Sequence, residues 1–176
     1  MWSYSPIRSE QDWQDALAVY RSNRHYLRLI DPCEPTSDSV RRDLRRFPPA
    51  LAPEQCHACL IKQAGETVGI IHYLTGFPDA GTAYIGLLML HGSRQNQGLG
   101  GRIVAGFCQQ MRGAGLKRLR LSVLHDNTDA RRFWQKQGFA PVCRKMSAFR
   151  HAHGSRMKTV FVLEKPLEPI SASSID

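Results

Sequence analysis

Leu87-Leu88-Met89-Leu90-His91-Gly92-Ser93-Arg94-Gln95-Asn96-Gln97-Gly98-Leu99-Gly100-Gly101-Arg102 is the stretch on which the reading of this chain turns. An apolar run closes a strand, passes through a short polar loop and enters glycines that open an amphipathic helix. In that helix Leu99, Ile103, Phe107 and Met111 repeat on one face. Gly98 and Gly100 let backbone N–H groups approach a ligand with no Cβ in the way. The first N–H groups of a helix have no partner within it, and the macrodipole adds positive potential there. The combination suits phosphate oxygens; the same glycines would also serve a strand-to-helix turn that needs only tight packing. A P-loop would require Gly-Lys followed by Ser or Thr, and this chain has Gly100-Gly101-Arg102-Ile103. A dinucleotide fingerprint would place a third glycine where Ile103 stands and an acid about 20 residues later, where Arg120 and its neighbours offer none.

Outward from this stretch, periodicity predicts strands over residues 3–8, 55–62, 67–75, 83–91, 118–124, 139–150 and 158–163. Helices are expected over 12–23, from Ser37 to before Pro48-Pro49, over 98–112 and over 128–137, with Gly138 in the left-handed position that ends the last of them. The 176 residues suffice for one core and not for two domains. The expected fold is therefore a single α/β domain with a mixed, mostly antiparallel twisted sheet of about six or seven strands flanked by about four helices. That domain is expected over 1–166, with a polar tail over 167–176. No run approaches the roughly 18 apolar residues of a membrane helix. The opening Met1-Trp2-Ser3-Tyr4-Ser5-Pro6 lacks the pattern of an export signal, so the cytoplasm is the expected compartment.

A second segment lies about 25 residues beyond the glycines. Leu124-His125-Asp126-Asn127 ends a strand, and Thr128-Asp129-Ala130-Arg131-Arg132-Phe133-Trp134-Gln135-Lys136-Gln137-Gly138-Phe139 follows. Gln95-x-x-Gly98-x-Gly100 after a buried strand resembles the pyrophosphate loop of the GNAT superfamily of acyl-CoA-dependent N-acetyltransferases. Asn, then Ala three on, then an aromatic pair, then Gly-Phe resembles that family's second cofactor segment. Order and spacing agree from about Thr67 to Phe139.

The resemblance implies acetyl-CoA as acyl donor and a fold in which the strand before the glycine loop splays from its neighbour. It implies that Leu88, Met89 and Leu90 offer main-chain groups to the pantetheine arm and thioester. Gln95, Asn96, Gln97, Gly98, Leu99, Gly100 and Gly101 would hold the pyrophosphate. Asn127 would bond the pantetheine arm, with Ala130, Phe133 and Trp134 packed beside it. Plain helix core is the alternative reading of the two aromatics. Arg94, Arg102 and Arg131 are candidate phosphate partners by charge and position.

The implied chemistry is direct attack of an amine on the thioester in a ternary complex, which calls for a proton acceptor, an oxyanion donor and a proton for the leaving thiolate. Two departures from the family stand out. Trp134 occupies the place of a tyrosine that often protonates the thiolate, and residues 82–90 contain no acid. His72, Tyr73 and Tyr84 are the nearest titratable residues, and His72 and Tyr84 are the candidates for catalysis. Tyr20, His25, Tyr26, Asp31 and Glu34 lie where the family builds its acceptor pocket, and Tyr26, Asp31 and Glu34 are the candidate acceptor contacts. The acceptor is an amine on a small molecule or a protein, and nothing in the sequence ranks these.

The formal charge of +9 suits an anionic partner. No nucleic-acid-binding motif accompanies it, so a basic nucleic-acid-binding domain is the weaker rival; a CoA-binding sensor without turnover is another. Cys56-His57-Ala58-Cys59, with His151 and His153, spells a zinc set on paper. Residues three apart on a strand point to opposite faces, so these cysteines read as structural thiols and no metal is expected. Apolar surface on the late strands suggests a homodimer.

Overall fold

The computed structural model describes residues 1–31, 33–151 and 154–167. Its elements run β1 (Trp2–Pro6), α1 (Glu10–Arg21), α2 (Arg24–Leu27), α3 (Ser37–Leu44), β2 (Cys56–Gln63), β3 (Glu66–Thr75), β4 (Thr82–Leu90), α4 (Leu99–Gly113), β5 (Arg118–Leu124), α5 (Thr128–Lys136), β6 (Ala140–His151) and β7 (Gly154–Pro166). One seven-stranded sheet has the order β1-β2-β3-β4-β5-β7-β6. Every neighbouring pair is antiparallel except β4–β5, which α4 joins as a parallel crossover.

Each face of the sheet buries its own apolar cluster. Ile103, Phe107, Met111 and Trp134 from α4 and α5 pack on Ile71, Ile85, Leu121 and Leu163. On the other face Trp13, Leu17, Tyr20, Val40 and Leu44 from α1 and α3 pack on Leu60, Ile70 and Met89. The alternation along each strand that divides residues between these faces is what the hydrophobic periodicity encodes.

The expected sheet, its strands and its four longer helices are all present, with differences that have local causes. Helix α1 begins at Glu10, two residues early, because Ser9 and Asp12 form a reciprocal capping box. Thr36 caps α3 by the same device with Ser39, so that helix starts at Ser37 as expected. The single turn α2 carries only one strongly apolar position beside Tyr26 and gave no periodic signal. Hairpin β6–β7 is longer than expected: β5 pairs β7 only over Leu124↔Val160 to Arg118↔Pro166, and beyond Thr159 the two strands continue as a free ribbon. Leu167, assigned to the tail by composition, is buried and donates its N–H to the Lys117 carbonyl. The rest of that tail lies outside the described residues. Gly138 has φ +84° and ends α5 as expected.

Strand β4 carries an extra residue. Register runs Tyr73↔Ile85 and then His72↔Leu87, leaving Gly86 as a bulge. The His72 ring occupies the space above it, where a Cβ on Gly86 would lie 2.5 Å from Nδ1. His72 is 6% exposed and its Nε2 lies 3.3 Å from the Cys56 sulfur. Burial, helped by nearby His57, holds the His72 imidazole down at about 4. The folded protein keeps this ring neutral, whereas the unfolded chain takes up the proton at the ordinary value of about 6.5. Stability is therefore full above about pH 6.5 and falls as the pH drops towards about 4, by about 3 kcal/mol in all. Urea denaturation across that range checks this, and a His72→Gln variant is expected to show a shallower acid loss.

Candidate active site

The parallel ladder between β4 and β5 has only four rungs, Thr82↔Arg118 to Ile85↔Leu121. It stops at the Gly86 bulge. Past that point β5 stays with β7 through Leu124, β4 stays with β3 through Leu90, and the two diverge into a fork. The His91 N–H bonds back to the Val68 carbonyl on the β3 side. By the alternation of an antiparallel ladder, Met89 then also exchanges its backbone bonds with β3, while Leu88 and Leu90 aim theirs into the fork. Of the three residues expected to offer main-chain groups, Met89 is thus committed to β3, and its side chain is buried beneath α1. The Leu90 carbonyl already accepts from Asn23 Nδ2 at 2.9 Å and Gln95 Nε2 at 3.1 Å. Leu88 N–H and C=O and Leu90 N–H remain to meet an extended ligand as a further strand would.

The loop at the open end of the fork is shaped by its backbone. A single 3₁₀ turn, Gly92–Arg94, is tied to α1 by the Gly92 N–H donating to Ser22 Oγ at 2.9 Å. Asn96 at φ +59° and Gly98 at φ +72° are both left-handed. Gly98 thereby starts α4 with no side-chain cap and no acid in the first turn, which leaves the N–H groups of Leu99, Gly100 and Gly101 without partners inside the helix. A helix end of this kind is electropositive and suits phosphate oxygens.

The glycines divide the work differently from the sequence reading. A Cβ on Gly98 would meet nothing, so that glycine serves its backbone angle. On Gly100 a Cβ would press on the Phe133 ring at 3.2 Å, and on Gly101 it would lie 3.3 Å from Gln137 Oε1. These two absent side chains let α4 close on α5.

Several expected contacts turn out to be held by the protein itself. Gln95 Nε2 donates to Asn23 Oδ1 at 2.6 Å, and Gln97 Nε2 to the Ser93 carbonyl at 2.9 Å. Arg94 pairs with Glu66 at 2.6 Å, an exposed bridge that a stronger anion can displace. Arg131 stacks on Phe161 at 4.4 Å and donates to the His125 carbonyl, turning away from the glycine loop. Arg102 is exposed on the first turn of α4. Asn127 Oδ1 caps α5 by accepting from the Ala130 N–H at 3.1 Å. Trp134 is core, edge-on to both Phe133 and Phe139, and Phe133 and Ala130 pack against the same cluster.

Tyr84 stands at the crotch of the fork, on the last but one rung. Its hydroxyl shares a 2.6 Å hydrogen bond with Ser122, the first β5 residue beyond the ladder. Burial pushes the phenol up from its ordinary value, so it holds its proton at neutral pH. Ser122 carried no motif signal; only the register of β4 and β5 reveals it. Tyr26 packs against the α1–α3 cluster, and burial raises its phenol well above the ordinary value. Asp31 and Glu34 share a shallow depression with Arg24, Arg28 and Cys33. There Glu34 pairs with Arg24 at 3.4 Å, and Asp31 accepts from the Cys33 N–H at 2.9 Å. A cleft of about 460 Å³ lies outside the fork, on the far side of β5, between His125-Asp126 and the β6–β7 ribbon. Among the described residues no cluster of three or more His, Cys, Asp or Glu could hold a metal. Cys59 lies in the α4-side core, while Cys56 faces His72 on the other side; the side chain of His151 and all of His153 lie outside the described residues.

A sheet forked beside an uncapped glycine-opened helix suits an extended ligand that ends in phosphate. The family comparison agrees: the family model described as Acetyltransferase (GNAT) family matches residues 16–139, and the chain belongs to that family. It is a GNAT acetyltransferase. An acetyltransferase from Thermus thermophilus superposes with a TM-score of 0.73 at 26% identity, covering 95% of this chain and 97% of that one. A ribosomal-protein-alanine N-acetyltransferase from Brucella melitensis gives 0.65 at 15% identity, with 95% and 99% covered. A GNAT family acetyltransferase from Elizabethkingia anophelis with acetyl-CoA bound gives 0.60 at 16%, with 94% and 98% covered. No curated protein matches the chain.

Adding one methyl group at the bulge tests the fork. Gly86→Ala is expected to cost about 1–3 kcal/mol by driving against His72, and His72→Ala in the same chain to recover part of that loss, read as a non-additive double-mutant cycle in denaturant.

Proposed function

We propose that the enzyme transfers the acetyl group of acetyl-CoA to an amine held in the same ternary complex, and that Tyr84 and Ser122 supply the proton for the departing thiolate. The fork carries this reading: Leu88 and Leu90 present backbone groups to an extended chain beside a helix N-terminus open to phosphate. The fit to the pantetheine arm and pyrophosphate is good. Leu88 and the Leu90 N–H bind the arm, the first turn of α4 with Asn96 and Gly98 receives the phosphates, and Arg102 and a released Arg94 lie close enough in sequence to assist. Asn127 has its Nδ2 available while Oδ1 caps α5.

The amine, once neutral, attacks the thioester carbon; the C–S bond breaks and an amide forms. The amine nitrogen gives up one proton to solvent and the sulfur gains one. A strand N–H beside the bulge is the donor for the developing oxyanion. Ser122 passes its proton to sulfur and takes one from Tyr84, and Tyr84 regains a proton from the solvent that received the amine's. This pair, on β4 and β5, fills the role left open where Trp134 stands. His72, neutral and held near 4, acts as the wedge that shapes the bulge and is a poor base.

Two measurements test the proposal. Calorimetric titration with acetyl-CoA is expected to show saturable binding that Gly98→Trp weakens at least about tenfold, about 1.4 kcal/mol; no binding by the natural chain would remove the acetyltransferase assignment of the fork. With an accepted amine, Tyr84→Phe and Ser122→Ala are each expected to lower kcat by about 10²-fold with acetyl-CoA affinity unchanged, and unchanged kcat in both would discard the pair as proton donor.

A further inference from the structure

The fork is closed on its α4–α5 side, where Leu88, Leu90 and Phe133 pack against the core. On the opposite face α1 covers β2, β3 and β4. The acceptor therefore approaches across β5 and β7, past Ser122, towards the ribbon of β6 and β7.

That approach is basic. Residues 140–163 contain five Arg and Lys, Arg144, Lys145, Arg150, Arg156 and Lys158, and no Asp or Glu. The first acid after them, Glu164, is already held by Arg118 and by a two-nitrogen contact from Arg120. A surface that merely needs to be wet intersperses both signs; twenty-four residues with one sign only do not. A cleft of about 460 Å³ opens on this ribbon, at the end of β5 that borders the mouth of the fork. Arg156 and Lys158 line it with Met146, Met157 and Thr159, and its one acid among the described residues, Asp126, lies 3.1 Å from His125. Only β5, one strand spacing of about 5 Å, separates this cleft from the fork. Met146 and Met157 are 55% and 59% exposed, so the cleft offers apolar contact beside its cations.

We propose that this cleft seats a carboxylate or phosphate borne by the acceptor, so that the substrate class is an amine on an anionic molecule. The proposal rests on the acetyltransferase reading of the fork. Polycationic amines meet like charge on the way in, whereas an anionic amine is drawn along the ribbon and held with its nitrogen about two strand spacings from its negative group.

The test follows thiol release from acetyl-CoA by the full chain with three sets of amines. One holds small anionic amines (dicarboxylic amino acids and amino-sugar phosphates), one holds peptides whose free amino end precedes Asp and Glu, and one holds spermidine and aminoglycosides. The expected result is turnover of one anionic set, which also tells a small molecule from a peptide, with kcat/KM falling about tenfold from low to 0.3 M salt. A variant with Arg156→Glu and Lys158→Glu is expected to raise KM for that amine at least about tenfold while kcat and acetyl-CoA affinity stay unchanged, and the corresponding Gln variants to show a smaller rise. Preference for the polycations, or no turnover of any anionic amine by protein that binds acetyl-CoA, overturns the proposal. So does a Glu variant that weakens acetyl-CoA instead of the amine, since the cations would then belong to the donor's phosphates. Failure to bind acetyl-CoA at all is a separate result that removes the underlying reading.

Discussion

A single surplus residue in β4 governs the geometry of the functional half of this protein. With Gly86 bulged out against β3, β4 turns away from the course it would need to stay paired with β5, and the ladder ends one residue earlier, at Ile85↔Leu121. Buried strands do not normally leave backbone groups unpaired, because each unmet N–H or C=O costs free energy away from water. Here the exception is confined to the two facing edges of the fork, Leu88 and Leu90 on β4 and Ser122 and Leu124 on β5, and the rest of the sheet supports it. Tyr84 and Ser122 bond across the base of the fork, β7 holds β5 in place, and the His72 ring fills the space that a side chain on Gly86 would take.

The polar groups around the fork are arranged to keep it ready rather than to bind by themselves. Asn23 and Gln95 satisfy the Leu90 carbonyl at the rim, and Ser22 anchors the start of the glycine loop to α1. Arg94 rests on Glu66, and Asn127 caps α5. The loop is therefore positioned by the same helix whose other face packs the second core, linking the site to the α1–α3 side of the molecule. Preorganised backbone donors lose little freedom when an anion arrives, which is why a glycine-opened helix end can serve where few charged side chains point inward.

Electrostatics then divides the protein into a neutral centre and a basic approach. The buried His72 and the half-buried Cys56 and Tyr84 are all pushed by desolvation towards their uncharged forms. They can shape or protonate without introducing charge into the core. The cations sit outside, Arg156 and Lys158 among them on the ribbon that continues past the end of β5. That separation lets long-range attraction act on arriving molecules without the desolvation cost of burying the charges.

Periodicity and spacing in the sequence determined the strands, the four longer helices, the glycine loop and its family, because each depends on neighbours a few residues away: alternation along a strand, the 3.6-residue stripe of α4, the unpaired N–H groups after Gly98. Gly138 was legible for the same reason, as a local signal at the end of one helix. What only the tertiary structure decided depends on partners far apart in the chain. Gly100 proved to make room for Phe133, thirty-three positions on, and Arg131 to lie on Phe161. Met89 gave its backbone to β3, and Tyr84 found Ser122, thirty-eight residues away. A bulge of one residue has no compositional signature, yet it shifts which side chains face which way beyond it. The chemistry of the fork therefore follows from register, and register is settled only when the whole sheet assembles.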